Sequence, residues 1–461
     1  MAGTRPDVTP ARLWDPSRRA LVTGLVGSVT FVAVEALAVA TVLPLLAHSL
    51  HGVALYGWVV SAFMLSSLVG IVVAGRMADR RGPAPPYALG VGCFAAGLVV
   101  AGLAPTMLVL IAGRILQGLG AGVVSTVAYV AIGRALPEDL RARMFAVLST
   151  AWVVPGVVGP ALAAQVGRLF GWRWVFLGLV PIVLGAGALA LVGLRRLGPP
   201  SAVASNEHRV VDGLQAALGA ALALAGLGSG RPLVAGGLLL AAPFVAIPPL
   251  RRLLPMGTLR AAPGLPTTVL LRGLLTFAFF GGDAFVTLAL VGGRHWTIAW
   301  ASAAVTGAAL SWTAGAWFQA HRHGQWSPQR FVRYGLLLVV VGTAGMLIVL
   351  RPGTPVALGV LVWTVAGAGM GLAYAPLSLL TLSGAPPAGE GWATTSLSLC
   401  DVLGTALGAG VGGAAVALGD RFGWPLSDGL TLAFILSGAV AIGAFVLTAR
   451  LPHSPATSAE A

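Results

Sequence analysis

Charge is the scarcest ingredient of this sequence. Only 9% of its 461 residues are charged, and lysine is absent, so all 28 basic residues are arginine. A soluble domain carries about 25% charged residues. A water-soluble globule of this length has no means of covering its surface with so few, which excludes an ordinary cytosolic enzyme. Cysteine is nearly absent as well. Cys93 and Cys400 both lie in apolar runs, which excludes a secreted disulfide scaffold and fits small packing residues better than a bridge or a metal pair. There is no phosphate-cradling loop, no His/Cys ligand spacing and no nucleophile elbow, so neither catalysis, cofactor nor metal is expected. The formal net charge of +14 raises the question of nucleic acid. The arginines form no dense tract with interleaved aromatics, and a nucleic-acid partner is not expected.

Apolar residues fill the space that charge leaves. They make up 57% of the chain, and the mean hydropathy is +0.90. The 64 glycines and 30 prolines suit transmembrane helices, where both are commoner than in soluble ones. About 20 apolar residues cross the hydrocarbon core as a helix. Apolar runs bounded by Arg, Pro and Gly clusters predict spans at 20–45, 55–75, 87–105, 107–133, 144–167, 173–194, 212–229, 232–250, 267–290, 296–318, 331–350, 355–382, 391–418 and 426–449. The seventh and eighth are the weakest. The expected fold is therefore an all-α polytopic membrane protein embedded in a lipid bilayer. The first run is too long for a signal-peptide core and contains Glu35, so no cleaved leader is expected.

Arginine placement gives orientation, because cytoplasmic loops carry the excess of basic residues. With the N-terminus inside, 21 arginines, Arg272 among them, fall on inside segments and six on outside loops, leaving Arg114 within a span. Both termini are then cytoplasmic.

An internal repeat divides the chain. Arg114-Ile-Leu-Gln-Gly-Leu-Gly-Ala-Gly122 aligns with Trp363-Thr-Val-Ala-Gly-Ala-Gly-Met-Gly371 at an offset of 249. The same offset takes Gly159 to Gly408, and an offset of 248 takes Glu35 to Asp283. Spans 1–6 and 9–14 read as two copies of one six-helix unit. The resulting organisation is a cytoplasmic segment 1–19, a bundle 20–197, a linker 198–211, two inserted helices 212–250, a second bundle 251–450 and a cytoplasmic tail 451–461. Two parallel repeats with a site at their interface is a known transporter plan.

Several motifs sharpen this. Gly75-Arg-Met-Ala-Asp79-Arg80-Arg81-Gly82 closes span 2. Gly75 is expected to let two helix ends approach closely, with Asp79 one turn later facing the positive end of a neighbouring helix. In span 4, Arg114, Gln117, Gly118 and Ala121 form one polar, small-residue stripe. An arginine at mid-membrane costs at least about 2.5–3.5 kcal/mol on insertion scales, so Arg114 must face a cavity or a carboxylate. Pro155-Gly156-Val-Val-Gly159-Pro160 in span 5 removes helical donors twice and favours a bend and close packing.

These motifs resemble those of the major facilitator superfamily. GxxxDRxG between the second and third spans resembles its signature loop, although Pro83 and Ala84 stand where basic residues are usual. The resemblance implies a latch between the two halves at the cytoplasmic side, formed by Gly75, Asp79, Arg80 and Gly82. RxxQGxG in span 4 resembles a motif associated with proton transfer. The span 5 pattern resembles the exporter motif, with Ala163 and Ala164 replacing the usual paired glycines. Count and motifs together are most similar to the 14-helix drug:proton antiporter branch.

Three acids fall deep within spans: Glu35, Asp283 and Asp401. Glu35 precedes an Ala-Leu-Ala-Val-Ala-Thr-Val-Leu-Pro run that resembles the antiporters' first-helix motif. Low dielectric disfavours the charged form of a carboxylate, so such groups can take up and release protons during transport. The proposed coupling and cavity residues are Glu35, Arg114, Gln117, Asp283 and Asp401. Each acid also has a structural reading: Glu35 as the neutraliser of Arg114, Asp283 as a hydrogen-bond partner, Asp401 as a solvated group near a span end. Trp152, Trp312, Trp363 and Tyr374 lie within spans and either stack on a flat or cationic ligand or fill the core. The resemblance implies alternating access with proton-coupled efflux of lipophilic, often cationic, compounds by a monomer. The alternatives are an exporter dedicated to one metabolite, siderophore, lipid or self-made antibiotic, and a non-transporting membrane sensor.

Overall fold

The computed structural model describes residues 14–16, 18–136, 138–198, 207–322, 325–386 and 390–451. They form helices joined by short turns. The first half contains α1 (Arg19–Ser49), α2 (Tyr56–Arg81), α3 (Ala84–Gly102), α4 (Met107–Ala135), α5 (Glu138–Leu169), α6 (Arg173–Leu177) and α7 (Val180–Leu194). A hairpin follows, α8 (Glu207–Gly228) and α9 (Pro232–Leu253). The second half contains α10 (Leu265–Leu288), α11 (Ile298–His321), α12 (Pro328–Val349), α13 (Leu358–Ser383), α14 (Glu390–Arg421) and α15 (Leu426–Leu447).

Local signals set several helix ends. Gly82 stops α2 with φ +79°, a backbone state that L side chains rarely adopt. The Thr106 hydroxyl accepts from Val109 N at 3.4 Å to cap α4, and Ser327 caps α12 in the same way from Arg330 N at 3.4 Å. Pro328 at the first position of α12 loses no hydrogen bond there.

Twelve helical segments among the described residues are long and apolar enough to cross a membrane, counting Arg173–Leu194 as one. The other two of the fourteen expected spans correspond to α5 and α11, and not to the weak pair expected from the sequence, since α8 and α9 are both among the twelve. In α11 the reason is composition: alanine, serine, threonine, glycine and tryptophan outnumber its strongly apolar residues. Several side chains of α5 lie outside the described residues. α8 starts at Glu207, within the expected linker 198–211. Residues 199–206 and the tail beyond Leu451 lie outside the described residues.

Packing reproduces the sequence repeat. α4 lies against α2 and α3, and its counterpart α13 lies against α11 and α12. Glycines permit both approaches. A Cβ on Gly118 or Gly122 would come within 2.1 Å and 2.0 Å of the Phe63 and Ser67 carbonyls of α2. A Cβ on Gly367 or Gly371 would come within 2.3 Å and 2.1 Å of the Ala308 and Trp312 carbonyls of α11. Small residues replace the hydrophobic drive that lipid cannot supply between helices. Likewise α1 packs on α5 and α7, and α10 on α14 and α15. The two six-helix units meet through α2 with α14, α5 with α11, and α1 with α10.

The units touch closely near the start of α2. Ser61 Oγ donates to the Ala406 carbonyl at 2.8 Å. A Cβ on Gly57 would sit 2.7 Å from the Gly413 Cα, and the Tyr56 and Phe285 rings stand 5.2 Å apart. The hairpin spans both units: on α8, Gly213 faces Val72 of α2 and Leu224 faces Gly410 of α14. Leu233 and Phe244 of α9 are exposed, as suits contact with lipid tails.

Candidate functional site: a buried charge pair in each bundle

In the first bundle, the Arg114 guanidinium on α4 is buried and pairs with the Glu35 carboxylate on α1. Its Nη1 also donates to Gln117 Oε1 at 2.8 Å, and its Nε donates to the Val59 carbonyl at 3.1 Å. Gln117 Nε2 donates back to Glu35 Oε1 at 3.1 Å. The Phe63 ring lies 4.3 Å from the guanidinium carbon. Arg114 and Gln117 share a face because they are three residues apart on one helix. Glu35 Oε2 has no hydrogen-bond partner among the described residues. The group is charge-compensated with one acceptor oxygen in reserve.

The second bundle holds a different pair. Arg272 Nε on α10 stands 3.1 Å from Asp401 Oδ1 on α14. Arg272 Nη1 donates to the Tyr374 carbonyl at 2.7 Å, and the Tyr374 hydroxyl donates to Asp401 Oδ2 at 2.8 Å. The Arg272 guanidinium lies over the Tyr374 ring, 3.0 Å from its centre. The Gly404 and Gly408 ladder brings α14 against the backbone of α10, and so holds Asp401 at this distance. The Asp401 side chain keeps 24% of its exposure. It lines a cavity of about 320 Å³ together with Arg272, Tyr374, Ser378, Thr394 and, from the first bundle, Tyr129. This cavity lies toward the end where α4 and α13 finish and α14 begins, opposite the tight contact of Gly57 with Gly413.

Asp283 is a third case. Its Oδ1 accepts from Trp363 Nε1 at 2.8 Å. Trp363 stacks on Phe279 at 5.4 Å, and Phe279 meets Trp312 edge-on at 5.8 Å. Trp312 continues to Tyr374 at 5.3 Å. A chain of rings thus links the surroundings of Asp283 to those of Asp401. The side chain of Trp152 lies outside the described residues.

The structure brings Glu35, Arg114 and Gln117 into one cluster and keeps Asp283 and Asp401 apart from it. Arg272 is a correction: the charge count assigns it to a cytoplasmic segment, yet it is buried within α10. The argument that an arginine in a span must face a carboxylate applies to it as much as to Arg114. Among the described residues, a Cβ on Gly75 would meet nothing within 4 Å. Arg80 is exposed at the end of α2, where Gly82 lies against Leu197 and Gly198, and the side chain of Asp79 lies outside the described residues. α5 runs unbroken through Pro155 and Pro160. Gly156 faces Ala309 of α11 across the seam between the bundles, and Gly159 faces Leu37 of α1 within the first bundle.

Comparison with known proteins fits this geometry. A protein of Mycobacterium tuberculosis H37Rv named a probable multidrug-efflux transporter is 28% identical over 450 residues, 92% of this chain and 94% of that one. The multidrug transporter protein MdtP of Bacillus subtilis is 29% identical over 187 residues, 40% of this chain and 34% of its own length. Among solved structures, an autoinhibited POT family peptide transporter superposes with a TM-score of 0.68 at 17% identity, covering 96% of this chain and 99% of that one. An inward-facing, unoccupied bacterial homologue of the human lysosomal transporter Spinster gives 0.65 at 16%, covering 96% and 100%. The family model described as Major Facilitator Superfamily matches residues 20–409. With its two packed six-helix repeats and buried charge pairs between helices, the chain belongs to the major facilitator superfamily.

Proposed function

We propose that the protein is a secondary active exporter that exchanges protons for lipophilic, often cationic, compounds by alternating access. It works as a fourteen-helix monomer of the cell membrane, with both termini cytoplasmic and α8 and α9 as the inserted pair. The observation that carries this reading is the Asp401–Arg272–Tyr374 cluster on a cavity wall between the bundles. A cavity of that size suits a small organic ligand. A carboxylate that is balanced by an internal cation and reachable from a cavity can exchange its partners. A proton or an incoming cation alters the pairing, and the change in pairing biases which face of the transporter is open. The arginines at the ends of α2 (Arg80, Arg81), α4 (Arg134) and α9 (Arg251, Arg252) support a cytoplasmic assignment of that side, on which the cavity opens inward and the Gly57–Gly413 contact closes the outside. The efflux names of the relatives support export over uptake.

The test is ethidium accumulation in proteoliposomes that are acidic inside. Protons running out drive ethidium in, and nigericin, by collapsing the pH gradient, abolishes the signal. Accumulation that survives nigericin unchanged refutes proton coupling.

One observation favours a second reading, an exporter dedicated to one chemical class. The cavity wall carries the hydroxyls of Ser378, Thr381, Thr394 and Ser398 beside Arg272. A ligand matched to them would carry hydrogen-bonding groups. Protection of cells against a single class within a panel of unrelated toxic cations favours this reading.

A further inference from the structure

The two bundles invite comparison at one helix pair. In the first bundle Glu35 on α1 meets Arg114 on α4. The equivalent helices of the second are α10 and α13, and the equivalent residues are Asp283 and Trp363, at offsets of 248 and 249. The contact between acid and donor is kept, since Trp363 Nε1 donates to Asp283 at 2.8 Å. The positive charge is not. Gln117, the second donor to Glu35, corresponds to Ala366, and Phe63, whose carbonyl faces Gly118, is matched by Ala308, whose carbonyl faces Gly367. Where the first bundle places a guanidinium and an amide, the second places rings: Trp363 stacked on Phe279 at 5.4 Å and set against Phe434 at 6.2 Å.

The charge consequence is specific. Of the three carboxylates deep in the spans, Glu35 and Asp401 each have an arginine within salt-bridge distance. Among the described residues, Asp283 has none and has only the indole N–H as a hydrogen-bond partner. Tyr56 of α2 also faces it, and a phenol carries no positive charge in either form. Asp283 is therefore the acid whose charge is left unbalanced among the described residues. A carboxylate in a low-dielectric setting requires a proton or a cation. Asp283 is partly exposed where Glu35 is fully buried. Indole and phenyl faces attract a cation that has lost its water.

We infer that Asp283 is the carboxylate at which a proton and a monovalent aromatic cation replace one another, and that Trp363, standing where the repeat has an arginine, leaves this position open to the ligand's charge. The inference rests on the antiport reading and separates two roles within it: Asp283 takes the ligand's charge in exchange for a proton, while the Asp401–Arg272 pairing biases which face is open. In the first bundle Arg114 takes the place of the ligand's cation permanently.

The experiment uses the purified full-length chain in weakly buffered detergent solution with tetraphenylphosphonium as probe. Binding is followed by calorimetry and proton release by a pH indicator. The wild type is expected to release about one proton per cation bound. Asp283→Asn is expected to lose the release and at least tenfold in affinity. Trp363→Arg supplies an internal counter-ion and is expected to lose binding to the same degree. Trp363→Phe keeps a ring without a charge and weakens binding less than the arginine variant. Size-exclusion profiles and helical circular dichroism confirm that each variant is folded. Full proton release from Asp283→Asn, or undiminished binding by Trp363→Arg, overturns the inference. A wild type that exchanges protons for the probe while Glu35→Gln alone abolishes the exchange overturns it as well. A wild type with no pH-driven transport at all overturns instead the antiport reading on which it stands.

Discussion

The Glu35–Arg114 pair lends itself to a quantitative test by double-mutant cycle. Both groups are buried, Glu35 at 0% and Arg114 at 3% exposure. Removing one partner of such a pair strands the other charge and costs about 3–5 kcal/mol. Arg114→Met strands the Glu35 carboxylate with Gln117 as its remaining donor, and also gives up the contact with Phe63. Glu35→Gln strands the guanidinium, which keeps the Val59 carbonyl and Gln117 as acceptors. Removing both charges leaves neither ion to be solvated. The double variant is therefore expected to fall short of the summed single costs by at least about 2 kcal/mol, well beyond the scatter of additive pairs. The assay is reversible unfolding in mixed micelles with rising SDS, followed by tryptophan fluorescence and circular dichroism. Single costs that add within about 0.5 kcal/mol refute a direct pairing of the two charges.

Further outcomes follow from the packing and the second cluster. Gly118→Ala and Gly371→Ala force a Cβ against a neighbouring carbonyl and are expected to lower the midpoint of thermal unfolding in detergent, whereas Gly75→Ala, whose Cβ meets none of the described residues within 4 Å, is expected to leave it unchanged or raise it slightly. Tyr374→Phe removes the hydroxyl that donates to Asp401 at 2.8 Å; a hydrogen bond to a charged group is worth about 1.5–3 kcal/mol, so SDS unfolding should show a loss in that range. Ser61→Cys with Ala406→Cys, in a background lacking Cys93 and Cys400, tests the closed seam: oxidation is expected to stop ethidium transport and reduction to restore it, and transport that continues through a formed cross-link refutes this seam as a moving contact.

Some of this architecture is legible in single residues. Arg114 within an apolar run demands a partner, and its spacing to Gln117 puts both on one helix face. The glycine alignment of 118, 120 and 122 with 367, 369 and 371 announces the repeat, and those glycines do carry equivalent contacts in the two bundles. Arg272 carried the same signal as Arg114, an arginine inside a span, but its place near the start of the run let it pass for a loop residue. Gly75 shows the converse. Its motif suggests a close approach, yet among the described residues a Cβ there would meet nothing within 4 Å.

By itself the sequence determined the medium, the order of the apolar helices and their grouping into two related sets. Those properties depend on composition and on short-range period, which every residue reports locally. Only the tertiary structure decided which charges meet. Glu35 and Arg114 are 79 residues apart in the chain, and Arg272 and Asp401 are 129 apart. A helical period fixes which side chains share a face. It does not fix which neighbouring helix that face meets, nor at what depth. That choice belongs to the packing of whole helices through small residues, and here it paired two of the membrane carboxylates with arginine and one with tryptophan.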